Sequence, residues 1–366
     1  MLPVAVKRLL GCIAVVSLGG ACSLLTSYDG FERAPPADAA VIEVDSGDAA
    51  PGDPCTHTRW PDPPASGPDG TTDALVGAVS SLSIIAGAGN APFGFDLDGL
   101  CTCPDRGACL GALAQPPCDP VDSGIDNAGD ELFRAFVSAG VRIDDTGLQA
   151  GLRKGQYGVV LRLTGYNGAA DDTDVKLDAF NAVGLQGDAG TAKFDGSDTW
   201  ILDAASIVGS VPTYGSRSAY VRGGVLVAEF AQLVLKSRLP ADGSQWRLIE
   251  LELRSAVLTA RVERVGASGL ALTGGTVAGR MPSAALLRQA QRSGACVGTS
   301  VYDVVKARVC DARDLPVEPG RDGRDTVCDA LSAAIRFQAG PARTDPSPKE
   351  RDDTSPCPLV GSEDCR

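Results

Sequence analysis

Asp96 and Asp98 stand two residues apart in Phe95-Asp96-Leu97-Asp98-Gly99, and a second acidic group, Asp122, Asp126, Asn127, Asp130 and Glu131, follows near the start of a predicted helix. Hard oxygen ligands at close spacing, with a glycine to turn the chain, suit calcium. The third Asp and the closing Glu of a D-x-D-x-D-G loop are missing. The competing account is therefore a turn, followed by carboxylates that complement a helix dipole. Asp96, Asp98, Asp126 and Asn127 are the candidate ligands of a structural Ca2+. Convergence of their oxygens would favour the ion, and dispersal would favour the turn.

Other chemistries fare worse. The chain has one histidine, His57, in a stretch read as a solvated linker, so the predicted folded part lacks a Ser-His-Asp or Cys-His arrangement and histidine metal sites alike. Gly87-Ala88-Gly89 follows an apolar run, but Pro92 stands where a third glycine belongs and no helix pattern follows, so a plain turn is expected rather than a phosphate cradle. Neither G-x4-G-K-[ST] nor G-x-S-x-G occurs. Paired carboxylates could hydrolyse a glycoside, and Tyr166, Asn167 and Trp200 beside Asp195 and Asp198 could form a sugar-stacking ledge. With 46 acidic residues no pair stands out, and with aromatics at 5% a core or turn role is expected for the ledge residues.

Twelve cysteines constrain the chain more tightly. Cys101, Cys103, Cys109 and Cys118 are spaced C-x-C-x5-C-x8-C, without the C-x2-C knuckles that hold zinc, so disulfides are the expected use. Met1 to Ala21 has the parts of a bacterial export signal: Lys7 and Arg8, an apolar stretch from Leu9 to Gly20, and small residues before a cut. Leu18-Gly19-Gly20-Ala21-Cys22 resembles a lipobox, with Gly19 where an aliphatic residue is usual. Loss of Cys12 with the signal and lipidation of Cys22 leave an even set for an oxidising compartment: Cys55, Cys101, Cys103, Cys109, Cys118, Cys296, Cys310, Cys328, Cys357 and Cys365. If Cys357 and Cys365 close locally, parity requires a bridge between the 55–118 group and the 296–328 group. Ser23 after Cys22 points to the outer membrane, a secreted or periplasmic location being the alternative.

Lys and Arg number 33 against 46 Asp and Glu, a net charge of −13, and loss of Lys7 and Arg8 with the signal takes it to −15. That balance argues against nucleic acid. Residues 22–73 read as an acidic, Pro- and Ala-rich disordered tether, 74–340 as the β-rich globular domain, and 341–366 as a polar tail. Alternation at Val159-Leu161-Leu163, Val175-Leu177-Ala179, Ile249-Leu251-Leu253 and Leu258-Ala260-Val262 predicts half-buried strands. Further strands are expected at 82–86, 200–202, 225–230 and 233–236. Helices are expected at 125–137, 282–294, 301–309 and 326–337. The fold class is mainly β, an antiparallel β-sandwich of jelly-roll or concanavalin type with short flanking helices, linked by disulfides.

Ala21-Cys22-Ser23-Leu24-Leu25, Phe95-Asp96-Leu97-Asp98, Gly124-Ile125-Asp126-Asn127-Ala128, Gly165-Tyr166-Asn167-Gly168, Phe194-Asp195-Gly196-Ser197-Asp198 and Cys328-Asp329-Ala330-Leu331 resemble motifs of myxobacterial lipoproteins of unknown function. The resemblance implies the same address and brings no activity with it. The expected function is a cell-envelope lipoprotein, a binding or structural module held to the membrane through its N-terminal lipid, with carbohydrate or an envelope protein as partner. The alternative is a carboxylate-dependent polysaccharide hydrolase.

Overall fold

The computed structural model describes residues 56–365, apart from 68–69, 72, 87–91, 101–108, 111–122, 139–142, 144, 188–189, 241–245, 324, 351–354 and 359–363. The export signal, Cys22, Cys55, Cys101, Cys103, Cys118, Asp122 and Gly87-Ala88-Gly89 lie outside the described residues.

The chain is mainly β, as its alternating segments predict. Strands β1 (Ala74–Ser83), β2 (Gly158–Thr164), β3 (Lys176–Leu185), β4 (Thr199–Leu202), β7 (Tyr214–Gly215), β8 (Ser218–Arg222), β9 (Val225–Pro240), β10 (Trp246–Val265), β11 (Gly269–Pro282), β12 (Ala330–Pro341) and β13 (Arg343–Thr344) join one 11-stranded sheet, while β5 (Ile207–Val208) and β6 (Val211–Pro212) pair separately. The order is β13-β4-β3-β2-β1-β12-β11-β10-β9-β8, with β7 on β3. Most pairs are antiparallel, and β13–β4 and β1–β11 are parallel. The sequence reading expects two stacked sheets; the described strands instead form a single mixed sheet that curls on itself until β3 faces β9.

Curling buries one face. Leu75, Val159, Leu161 and Leu163 from one half meet Leu226, Phe230, Leu233, Leu251 and Leu253 from the other, and α2 (Asp145–Arg153) adds Leu148 and Leu152. Helices α1 (Ala128–Ser138), α3 (Ser283–Arg292) and α4 (Ser300–Asp311) flank the sheet. The opposite face is covered in part: Val160, Phe180 and Ala182 pack against Trp200 and Ala192.

Strands of unequal length leave bare edges, and amide side chains fill them. β10 outruns β11, which pairs with it only from Arg254 onward, and Gln289 of α3 takes that edge: its Oε1 accepts from Glu250 N–H and its Nε2 donates to Leu248 C=O, both at 2.9 Å. β9 outruns β8 and is met by Asn181 of β3, which accepts from Lys236 N–H and donates to Val234 C=O, again at 2.9 Å. Past the end of β2, Gln149 of α2, its amide oriented to satisfy both contacts, accepts from Leu82 N–H at 3.1 Å and donates to Ser80 C=O at 3.3 Å. In all three cases an amide bonds N–H of one residue and C=O two residues earlier, as a neighbouring strand would. Each supplies a pair of hydrogen bonds to backbone that would otherwise lack them.

Two expectations are corrected. Residues 330–341 form the central strand β12, not a helix over 326–337. Its Ala-rich sequence is buried on both faces between β1 and β11, so the period-two signal is absent and Cys328, Leu331 and Ile335 coincide with a helical spacing. Residues 56–67, assigned to the tether, are also placed against the domain: Tyr220 O–H donates to Pro61 C=O, and Trp60 meets Phe95 edge-on at 5.6 Å.

Three disulfides join Cys109–Cys328, Cys296–Cys357 and Cys310–Cys365 across 219, 61 and 55 residues. The first joins the two cysteine groups, although the condition under which parity required such a bridge, local closure of the tail pair, is not met. The tail pair does not close locally: Cys357 bonds Cys296 in the segment before α4 and Cys365 bonds Cys310 in the last turn of α4, so the two fasten the polar tail separately.

Candidate metal centre

Phe93 and Phe95 lie on the outer face of β11 and β12, where Ala278 and Ala334 leave room for their rings. This anchors the loop that follows. Three extended segments meet there: Asp96 N–H donates to Thr58 C=O at 2.8 Å, Thr58 N–H to Ser123 C=O at 2.9 Å, and Asp126 N–H to Phe95 C=O at 3.0 Å. Gly94 makes the close passage with φ +139°, a conformation that side chains rarely adopt.

The three segments bring Asp96, Asp98 and Asp126 together, with one oxygen of each within 4.8 Å of the others. Asp96 and Asp126 are buried, at 3% and 1% exposure, and Asp98 is half-buried. Every carboxylate also accepts a backbone N–H, Asp96 and Asp98 within their own loop and Asp126 from across the junction. Gly99 donates to Asp96 Oδ1 at 2.6 Å, Leu100 to Asp98 Oδ1 at 2.8 Å, and Leu97 to Asp126 Oδ2 at 2.5 Å. His57 Nδ1 lies against Asp96 Oδ2, with its side chain only 10% exposed.

That position overturns the reading of His57 as a solvated linker residue. The sequence signal was thin, since only Cys55 and Trp60 marked an organised element of the tether that a disulfide could pin to the domain; Trp60 does pack there, and Cys55 lies outside the described residues. A second correction concerns Asn127, which spans Phe93 C=O at 2.9 Å and Ala334 N–H at 3.1 Å and so ties α1 to β12 rather than joining the carboxylates. Asp130 accepts from Ala86 N–H at 2.7 Å and pairs with Arg134 one turn on, the helix-start role that the competing account gave it.

Arg280, at 1% exposure, sits beneath the loop and donates to Leu97 C=O at 2.9 Å, but its charge is matched by a bidentate pair with Asp322 at 2.5 and 2.6 Å. Two buried carboxylates and a third close by repel one another unless a cation or proton intervenes. His57 can offset part of that charge when protonated. A hard divalent cation is the complement that oxygen ligands suit best, with backbone carbonyls or water filling the coordination shell.

The other candidates separate. Trp200 is fully buried under Phe194 and Tyr166 is 5% exposed, so the sugar-stacking ledge is core. Burial first, then the Asp172 charge, raises the phenol of Tyr166. Asp198 accepts from Lys193 and Phe194 N–H groups, both at 2.6 Å, and the exposed Asp195 is held below the usual carboxylate range chiefly by the Ser197 hydroxyl. Cys109 is committed to Cys328 and is lost to a zinc set with Cys101, Cys103 and Cys118. Compared with known proteins, the chain matches no family model, no curated protein and no solved structure.

Proposed function

We propose that the chain is an exported, lipid-anchored module of the bacterial envelope that displays a disulfide-clamped β domain for binding or structural support, with a calcium ion at Asp96, Asp98 and Asp126. The observation that carries this reading is the set of three disulfides spanning 55 to 219 residues, because such bridges form and persist in oxidising compartments. The lipobox-like run before Cys22, the even cysteine count left after its acylation and the resemblance to myxobacterial lipoproteins support the same address. Outer-membrane attachment with carbohydrate or an envelope protein as partner follows from that address. Mass spectrometry of the mature protein from membranes is the test of the anchor: an acylated N-terminal Cys22 is expected, and an unmodified residue there refutes it.

The ion is supported by the convergence of three carboxylates from two segments, Asp96 and Asp98 from one and Asp126 from the other. Bound calcium would cross-link residues 96–98 to 126 and hold the loop that also seats His57. By linkage, calcium at 100 times its Kd raises unfolding free energy by about 2.7 kcal/mol. Thermal unfolding with calcium and with chelator is expected to show that gain, and Asp126→Asn, which keeps an oxygen for Leu97 N–H, is expected to abolish it. An equal response of the two proteins would remove the ion from this site.

A further inference from the structure

Against the sheet's middle strands an open cavity of about 330 Å3 is lined by Ser81, Leu82, Thr276, Arg336, Phe337 and Gln338 among others. Its origin is a pair of irregularities flanking β12. The β1–β12 register shifts between Val79 and Ser81, and the β11–β12 register shifts between Leu272 and Gly275. Bulges bend strands locally and re-aim side chains. Gly274 takes φ +58° at the second, and the place of a Gly275 side chain is filled by the Phe337 ring, 2.5 Å from where a Cβ would stand.

Arg336 lies in the central strand of this hollow, directly opposite Thr276 on one side and Ser83 on the other. Its guanidinium stacks 4.3 Å over the Phe93 ring, which holds the group in place while leaving its edge to make hydrogen bonds. Among the described residues no carboxylate pairs with Arg336, and none lines the cavity. The contrast with the rest of the chain is sharp, because acids outnumber bases by 13 overall. Arg162, Arg254 and Arg280 of the sheet and Arg292 of α3 are paired with Asp or Glu, whereas Arg222, Arg261 and Arg343, like Arg336, have no such pair among the described residues.

We propose that this hollow binds a small hydroxylated carboxylate of the sugar-acid class, with Arg336 as the carboxylate-binding residue and Ser81, Thr276 and Gln338 meeting its hydroxyls. The planar fork of an arginine matches a carboxylate with two parallel hydrogen bonds. The neutral hydroxyl and amide groups around it suit a polyol and offer no counter-charge. The volume is at the low end of ligand pockets, about 300–1,000 Å3, which fits one sugar unit rather than a buried oligomer. This inference goes beyond display at a membrane and uses neither Cys22 nor the carboxylates of the candidate metal centre.

The test is titration of the disulfide-intact protein with galacturonate, and with galactose as the uncharged counterpart, followed by ligand-observed NMR. Millimolar binding of galacturonate that exceeds binding of galactose at least 10-fold is expected from a charge-assisted bidentate pair. Arg336→Gln is expected to remove that preference. Because Arg336 also covers Phe93, Gln338→Glu at the exposed rim serves as an independent variant: it places a negative charge beside the site and is expected to weaken galacturonate by a larger factor than galactose, which loses only what Gln338 gives its hydroxyls. Equal binding of the two sugars, absence of binding by both, or a preference untouched by either substitution overturns the assignment. Retention of the calcium response is expected in Gln338→Glu, which leaves the Arg336–Phe93 stack in place, and this separates failure here from failure of the metal site.

Discussion

Asn181 gives the sharpest test of how the curled sheet closes. It lies in β3 at 1% exposure, and its amide supplies both hydrogen bonds that the edge of β9 receives there, to Lys236 N–H and Val234 C=O. Replacing it with Leu keeps a buried side chain of similar size but leaves one backbone donor and one acceptor without partners. Each unsatisfied buried group costs about 1–3 kcal/mol, so Asn181→Leu is expected to lose about 2–6 kcal/mol of stability. At roughly 2–4 °C per kcal/mol for a domain of this class, the midpoint of thermal unfolding falls by about 4–24 °C. Asn181→Asp refines the argument. The carboxylate can still accept from Lys236 N–H, but it faces Val234 C=O with an oxygen instead of a donor. A protonated carboxyl can donate there, so the folded state binds this proton more tightly than the unfolded chain does. The variant's deficit is therefore expected to shrink as pH falls, measured by urea unfolding at acidic and neutral pH. A loss under about 0.5 kcal/mol for Asn181→Leu, the range of ordinary surface substitutions, would refute the role given to this amide.

Burial, and after it the charges of Glu229 and Asp62, push the phenol of Tyr220 up to about 12. Its folded value lies above the unfolded one near 10, so its contribution is complete below pH ~10 and is lost as pH rises toward ~12. Alkaline spectrophotometric titration is expected to show Tyr166, Tyr214 and Tyr220 ionising late with Tyr220 last, and Tyr220→Phe to remove that last step; a titration in which the parent and the variant share the same last step would contradict the burial. The Cys109–Cys328 bridge closes 219 residues, the longest of the three spans, and chain entropy assigns such a loop about 5 kcal/mol as an upper figure. Replacing both cysteines with Ala is expected to cost roughly 2–5 kcal/mol in urea unfolding, and a loss within the noise of a surface change would mean that the ends are held together without the bridge.

The sheet was legible where one face of a strand meets solvent. Val159, Leu161 and Leu163 lie in the core, and the Ile249-Leu251-Leu253 and Leu258-Ala260-Val262 alternations proved to be the two ends of one strand, β10, with a register shift between Arg254 and Val257 separating them. Where both faces are covered the signal failed, as at β12, whose Ser332, Ala333 and Ala334 carry no alternation because other segments pack on either side. The same physics decided the candidate site. Asp96 and Asp98 were visible as a local pair, and Asp126 joined them as expected. Asn127 did not, because an amide can bond both a donor and an acceptor, and Ala334 N–H of β12 and Phe93 C=O beside it offer one of each. Gln149, Asn181 and Gln289 answer the same need elsewhere, and nothing in local sequence marks them, since the edges they fill exist only once strands of unequal length are paired. Buried aspartates extend the pattern to loops: Asp172, Asp198 and Asp314 each accept backbone N–H groups. Part of the acid excess that the composition displays is thus spent inside the fold on backbone donors. Asp96, Asp98 and Asp126 are distinguished by meeting one another while doing so, and Arg336 by standing in a hollow where no acid meets it.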